Sequence, residues 1–451
     1  MLPKIIRQQL ANSGLRRIFK NISWLLGARI VTGASGLLYL SIVTHRLGAQ
    51  QYGILVLIQT YVLLITTLTT FQSWQAVIRY GAICLEKQDK AALQQLIKFT
   101  TLLDVLGVFL GLALAILIAP LMGNLLGWAP NLITQLQWCS LSIIFTVVAT
   151  PTGLLRLYDR FDLLAVHLTV LPVVQLLGTV VIALLHLPLW GYLLAWFIAN
   201  VAEGAFLIGF GWHEAGKRGL ISGMTGSLTN LTQAHPGLWK FCLMSNFDSS
   251  LPMVMRQVSP LLIGIFGTAT GVGHYRIAYE LSTPLKDIAL LFTQSIYPEL
   301  AQLNSQQRWR TFTALVLKTS KISLGVGLIT YLVVIFTGKI VLFYGFGTEF
   351  VAAYSVLLLL VGAEVFTMGS CSLEPALYAL GRPSLCLRVN AIAIIGIYIP
   401  SLIILTQHFG SLGAGIATLL STATIFILNS VLTWQQLARY SKIATVKNSN
   451  N

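Results

Sequence analysis

Charged side chains are scarce in this chain, and a small set of them falls inside stretches otherwise apolar enough to cross a bilayer. Six basic residues (Arg29, Arg46, Arg256, Arg276, Lys286 and Lys339) stand apart from the basic segments that flank those stretches. Five of them lie in or beside the first, seventh and eighth apolar stretches, where Asp248, Glu280 and Asp287 join them. A charge near the bilayer centre costs at least roughly 2.5–3.5 kcal/mol, so such residues face a cavity or each other. Arg256 lies near the middle of its stretch and cannot easily snorkel. Its planar fork of donors suits an anion with matching oxygens, such as a phosphate or carboxylate. Arg276, Glu280 and Asp287 are spaced by four and seven residues, which keeps them within about 40° of one helical stripe, with Lys286 about 80° to the side. Arg276 and Glu280 can pair at i,i+4, and a structural ion pair would also account for those two. The whole set points to a polar central cavity. Arg29 shares a face with Gly33 and Gly36, small residues that let a helix or ligand approach the backbone; the alternative is an arginine snorkelling to the headgroups.

Three further acids, Asp104, Glu203 and Glu364, are isolated on the third, sixth and tenth stretches. Each could bind a coupling proton or sodium ion, or be hydrogen-bonded within the bundle. No Walker loop, metal-spaced His or Cys cluster, or nucleophile–base pair occurs. The expectation is a protein that is not an enzyme, with no metal and no catalytic residue.

The elements that must position these charges are transmembrane helices. The 451-residue chain is 56% hydrophobic and 10% charged, with a mean hydropathy of +0.78, far from a soluble balance. A helix needs roughly 20 apolar residues to cross the hydrocarbon. Spans are expected near 22–44, 53–77, 99–119, 132–152, 164–186 and 190–211, then 244–267, 275–298, 319–341, 351–371, 389–406 and 413–434. The second six echo the first at an offset of 222 residues: His186 answers His408, Gly191 Gly413, Ala195 Ala417, Trp212 Trp434, and Arg160 Arg382. A duplicated six-span unit gives two parallel bundles, an architecture of carriers that rock two halves about a shared site. The expected domains are an N-terminal bundle over 1–211, a Gly-rich cytoplasmic linker over 212–243, and a C-terminal bundle over 244–451 with a short tail.

The formal net charge of +15 would suggest nucleic acid in a soluble protein. Here 23 of the 29 Lys and Arg fall in the amino-terminal stretch, the even-numbered loops and the tail. The loop over 120–131 has no charge. The positive-inside rule then places both termini in the cytoplasm, and the excess orients the protein or touches anionic lipid, with no nucleic-acid partner. The first apolar stretch is too long for a signal peptide and is expected to remain as a helix. Segment 83–98 suits a short amphipathic helix at the cytoplasmic interface. The five cysteines show no paired spacing and read as small core residues.

Several motifs then carry a resemblance. Asn21-Ile-Ser-Trp24 and Thr44-His-Arg-Leu-Gly-Ala-Gln-Gln-Tyr-Gly53 open the chain, and Leu261-Leu-Ile-Gly-Ile-Phe-Gly267, Gly273-His-Tyr-Arg-Ile-Ala-Tyr-Glu280 and Ile296-Tyr-Pro-Glu-Leu300 open the second half. Together they resemble Wzx-type polysaccharide flippases of the multidrug/oligosaccharidyl-lipid/polysaccharide exporter superfamily, across essentially the whole chain. The resemblance implies an all-α polytopic membrane fold, two six-helix bundles forming a V with spans 1, 2, 7 and 8 around a central cavity. It implies translocation of an undecaprenyl-pyrophosphate-linked oligosaccharide to the outer leaflet of the bacterial cytoplasmic membrane, for O-antigen, capsule or exopolysaccharide. The implied partners are that lipid-linked cargo, membrane lipids and polysaccharide polymerase machinery. Arg29 resembles a first-helix arginine that related lipid II flippases use in their cavity, and Arg46 matches a position with a gating or structural role. Substrate binding is then expected at Arg29, Arg256, Arg276 and Lys286, with Asp248, Glu280 and Asp287 as coupling or cavity acids. No cofactor is expected, only an H+ or Na+ gradient. Two departures stand out: lipid II flippases carry two further C-terminal helices, and Ser259 occupies a position where many relatives carry an acid. The rival readings are a multidrug cation exporter of the same superfamily and a membrane glycosyl polymerase.

Overall fold

Helices account for every regular element in the computed structural model, which describes residues 4–221 and 237–449, with no strand among them. In order they are α1 (Lys4–Thr69), α2 (Trp74–Glu86), α3 (Lys90–Leu125), α4 (Pro130–Ser140), α5 (Ala149–Leu157), α6 (Phe161–Leu184) and α7 (Leu189–Lys217). Then come α8 (Leu238–Phe266), α9 (Ala269–Ser305), α10 (Trp309–Phe346), α11 (Tyr354–Ser370), α12 (Leu373–Ala379), α13 (Pro383–Ala391), α14 (Ile399–Phe409) and α15 (Ser411–Ser449). A 3-10 turn, Leu141–Thr146, leads into α5, a second, Thr348–Ala353, leads into α11, and a π-type turn, Ile392–Tyr398, joins α13 to α14. In hydrocarbon every backbone polar group must be satisfied within its own segment, which leaves helices as the form these apolar runs can take.

Nine helical stretches among the described residues are long and apolar enough to span a bilayer. The first, Gly27–Glu86, is 60 residues long and comprises the two expected spans, hinged at Gly48. There the backbone takes φ 69°, ψ 178°, a region open to glycine and costly for other residues. The expected spans 7 and 8 correspond to α8 and α9, which are absent from the nine. The charges at Arg276, Glu280, Lys286 and Asp287 dilute the apolar character of α9.

One expected span is interrupted, and another continues beyond a break at its end. The stretch expected at 132–152 is α4, a 3-10 turn and α5, because Pro151 lacks the amide that would continue a helix from above. A similar interruption at Cys371–Ser372 precedes Pro375 in α12. The expected amphipathic helix over 83–98 does not form. Gln88 adopts φ 55°, Asp89 caps α3 by accepting a hydrogen bond from the Ala92 amide at 2.9 Å, and Leu93, Leu96 and Ile97 are buried. A capped helix start with a core to fill outcompetes an interfacial helix.

The chain divides into two compact units, Met1–Leu47 with Ile58–Val258, and Gly48–Leu57 with Ser259–Asn451. The boundaries thus differ from the sequence expectation of 1–211 and 244–451, and the reasons are local. In the second unit the Ala49 amide donates to Glu349 Oε2 at 2.7 Å, and Tyr52 stands edge-on to Phe350. A Cβ on Gly53 would lie 1.7 Å from the Ala269 carbonyl oxygen, so only glycine permits that approach. In the first unit the start of α8 enters the core: Leu238 and Cys242 pack with Tyr80, Leu93, Leu96 and Leu154, and Trp239 stands edge-on to Phe99. Of the stretch read as a linker, α7 takes the first six residues and Leu220 is buried; residues 222–236 lie outside the described residues.

The internal repeat is visible in the backbone. Asp159 (φ 57°) and Gly381 (φ 72°) adopt left-handed conformations 222 residues apart, and each is followed by an arginine, Arg160 or Arg382, that begins the next helix. Each unit has a core at the matching place, with Leu154 in one and Ala376 in the other.

Candidate substrate and coupling site

The polar helix α9 is built to hold charge. Its Thr268 cap accepts from the Gly271 amide at 3.1 Å. The face bearing Val272, Tyr275, Ala278, Ser282 and Leu285 is buried, and Lys286 and Asp287 are exposed. Arg276 and Glu280 are half-buried and form the expected i,i+4 ion pair at 2.6 Å. Pro284 interrupts the ladder between that pair and Lys286, leaving the Glu280 carbonyl without its helical donor. Glu364, on α11, lies within electrostatic reach of Lys286 and Asp287, and its Oε2 is buried without a hydrogen-bond partner. The second unit thus brings Lys286, Asp287 and Glu364 near one another on facing helices, with the Arg276–Glu280 pair farther along α9.

In the first unit Arg29 is exposed on α1. Among the described residues nothing lies within 4 Å of where a Cβ on Gly33 or Gly36 would be, so the face they share with Arg29 is open. A cavity of about 620 Å³ runs between α1 and α6, lined by Trp24, Gly27, Ala28, Val31, Ala165, Val166 and Thr169. Arg29 is not in its lining; it projects about 100° around the helix from Ala28. Thr32 ties the two helices by donating to the Leu168 carbonyl at 3.0 Å. Arg46 is exposed near the Gly48 hinge and acts electrostatically on the Tyr192 hydroxyl of α7. Arg256 is exposed on α8, and the side chain of Asp248 lies outside the described residues. Lys339 lies over the Tyr354 ring at 5.1 Å, a local cation–π contact.

The three isolated acids separate by environment. Asp104 is 1% exposed and accepts three hydrogen bonds, from Ser73 Oγ at 2.6 Å, the Thr150 amide at 2.8 Å and Thr150 Oγ1 at 2.7 Å. It ties the restarts of α2 and α5 to α3, a structural role. Glu203 on α7 faces His167 on α6, with Oε1 and Nε2 3.6 Å apart. That partner was not visible in sequence, because the two helices had to be paired before position 167 could be set against 203. Glu364 joins the α9 charges.

The structure also redirects several of the cations expected on the cytoplasmic side. Arg160 grips Asp162 through Nε and an Nη at 3.0 and 2.9 Å and reaches Glu214 at 3.0 Å. The Asp162 hydrogen bonds hold its guanidinium above the ordinary arginine range. Arg218 binds the other oxygen of Glu214 and stacks on Tyr158 at 3.8 Å, and Arg156 lies 4.1 Å from the Trp74 ring centroid. These arginines brace helix ends and are not simply offered to lipid. In the second unit Ser259 is buried, its Oγ 2.5 Å from the Tyr398 hydroxyl at the end of the π-type turn. Tyr275 and Thr418 complete this hydroxyl cluster. All five cysteines are buried and free, and no group of three metal-ligating side chains occurs among the described residues.

Comparison with known proteins supplies the frame for this geometry. An inner membrane protein of Escherichia coli K12, YghQ, is 27% identical over 360 residues, 78% of this chain and 99% of that protein. A probable low-salt glycan biosynthesis flippase of Haloferax volcanii, Agl15, is 27% identical over 186 residues, 40% of this chain and 38% of that flippase. Among solved structures, an inward-facing multidrug resistance MATE family transporter of the MOP superfamily superposes with a TM-score of 0.69 at 11% identity, covering 91% of this chain and 95% of that one. The lipid II flippase MurJ, in an inward closed conformation, gives 0.61 at 13%, covering 94% and 90%. At these identities the likeness establishes a fold shared with those two proteins. The family profile described as "Polysaccharide biosynthesis protein" matches residues 18–304, well over half the chain, and the chain belongs to that family.

Proposed function

We propose that the protein flips a polyprenyl-pyrophosphate-linked oligosaccharide across the cytoplasmic membrane for cell-surface polysaccharide synthesis, by alternating access coupled to an ion gradient. The observation that carries this reading is the family match over residues 18–304, which contain all the intramembrane cations of α1, α8 and α9. Agl15 is named as a probable flippase of glycan biosynthesis and MurJ as a lipid II flippase, and the proposed cargo combines the glycan of one name with the lipid of the other. Taking a pyrophosphate out of water demands countercharge. Arg29, Arg256, Arg276 and Lys286 supply it, and an arginine fork matches phosphate oxygens two at a time. The polyprenyl tail stays in lipid while the head crosses. Asp248, Glu280 and Asp287 balance the cations when no cargo is bound, with Glu280 doing so for Arg276 at 2.6 Å. The reading places the chain in the inner membrane as a carrier and not an enzyme. Export machinery that polymerises the glycan is its natural partner.

The decisive test is genetic and chemical. Deleting the gene should cause lipid-linked oligosaccharide to accumulate on the cytoplasmic leaflet, and Arg256→Ala should fail to restore export at normal membrane abundance. Full export by Arg256→Ala removes that residue from the mechanism. Loss of resistance to cationic drugs on deletion, with no change in lipid-linked sugars, replaces the flippase by a multidrug exporter.

A further inference from the structure

We propose that Glu203, positioned by His167 on the adjacent helix, is the proton-binding site through which the proton gradient drives this transporter. The proposal rests on the transport reading above and adds the ion and its site. The α6–α7 pair brings the two side chains together within bilayer-spanning stretches, Phe161–Leu184 and Leu189–Lys217. The side chains are only 17% and 30% exposed, with Nε2 and Oε1 3.6 Å apart. An ionisable pair within such stretches is costly to retain and marks an ion pathway or proton relay.

Two features of the pair select a proton over a metal cation. Hard cations such as Ca2+ and Mg2+ demand several oxygen ligands, and here the carboxylate faces an imidazole. No cluster of three metal-ligating side chains occurs among the described residues. The other imidazole nitrogen, His167 Nδ1, is buried without a hydrogen-bond partner. A doubly protonated ring would therefore carry an N–H donor with no acceptor, an expensive state away from water. The entering proton accordingly goes to the carboxylate: Glu203–COO− plus H+ gives Glu203–COOH, facing a neutral imidazole, and the pair loses one negative charge. That change in net charge is what a transmembrane voltage and pH difference act upon.

The charged groups on the surrounding elements are otherwise engaged or lie apart. Asp162 and Glu214 are held by Arg160 and Arg218, and Arg156 of α5 stacks on Trp74. The 3-10 turn and α4 contribute no charged residue. On α1 the charged residue of this region is Arg29, and α1 is fastened beside the site by the Thr32 bond to Leu168, the neighbour of His167. The helix carrying a proposed phosphate-binding arginine is thus attached one residue from the proton site. Asp104 is saturated by three donors, and Glu364 has Lys286 close by. Glu203 instead faces a titratable ring that can stay uncharged while the carboxyl group changes state.

The test uses purified full-length protein in liposomes on a sensor that records charge displacement after a rapid change of buffer pH. Wild type should give a transient on acidification, and Glu203→Gln should lose it while unfolding at the wild-type temperature. Glu203→Asp should recover it. His167→Leu should keep the transient but displace the midpoint of its pH dependence, which a merely structural histidine would not do. A full transient in Glu203→Gln overturns the proposal, as does a transient evoked by sodium at constant pH and abolished by Glu203→Gln. Export is scored separately in cells. If the pH transient depends on Glu203 but deletion leaves lipid-linked sugars unchanged, the cargo assignment fails and the proton site stands.

Discussion

Asp104→Ala tests how the first unit holds its interrupted helices. One carboxylate accepts from Ser73 Oγ, the Thr150 amide and Thr150 Oγ1, at 2.6, 2.8 and 2.7 Å. Ser73 and Thr150 are themselves buried, so no water stands ready to replace it. A buried donor left without a partner costs about 1–3 kcal/mol. Three such donors sharing one carboxylate are coupled and do not add fully, which gives about 3–5 kcal/mol for Asp104→Ala. Asp104→Asn keeps one oxygen acceptor and most of the shape, and should cost roughly half as much. Thermal unfolding of the detergent-solubilised protein reads both. The sharper measurement is a double-mutant cycle with Thr150→Val. Removing the hydroxyl first should reduce the cost of Asp104→Ala by about 1 kcal/mol, the worth of one such bond. Equal stability of Asp104→Ala and wild type, or strict additivity with Thr150→Val, refutes the tether.

Glycine substitutions should divide by location. Gly53→Ala places a methyl 1.7 Å from the Ala269 oxygen and should lower stability by about 1–3 kcal/mol or more, as overpacking does. Gly33→Ala meets nothing within 4 Å and should be neutral or stabilising by up to about 1 kcal/mol in thermal unfolding. Gly33→Leu should fold normally yet abolish export if cargo approaches the Arg29 face; unimpaired export would free that face from the mechanism. Glu349→Ala should cost about 1–3 kcal/mol by orphaning the Ala49 amide, while Glu349→Gln should restore most of it. The five buried thiols should resist a maleimide in the folded protein and react together on unfolding, and reducing agent should leave the unfolding temperature unchanged.

The helical class, the duplication and the polar α9 were legible because each is written in local composition. Apolar runs of bilayer length allow one kind of backbone, and charges that interrupt them stand out. The ion pair Arg276–Glu280 was legible for the same reason, being a contact between successive turns. What escaped was set by partners distant in sequence. His167 and Glu203 are 36 residues apart on different helices, and Glu349 reaches Ala49 across 300 residues. The transfer of 48–57 to the second unit depends on that bond and on the Gly53–Ala269 approach, neither of which has a local signature. The misread helix over 83–98 is a different kind of failure. Its apolar residues have helical spacing, but Asp89 offered a cap that split the run, and the face taken as interfacial became core.

The π-type turn at Ile392–Tyr398 has a consequence for how the two copies stay in step. Phe161 and Pro383 begin equivalent helices, and Leu189 and Ser411 begin the next pair, all at the same 222-residue offset. Between them the first copy has 24 helical residues and a four-residue connection, 185–188, while the second runs 27 residues and turns at Gly410 alone. A wider turn climbs less per residue, so the longer rod reaches nearly the same height as the shorter one. One copy can thereby convert connecting chain into helix without displacing the next rod, and ancient register survives a local change of winding.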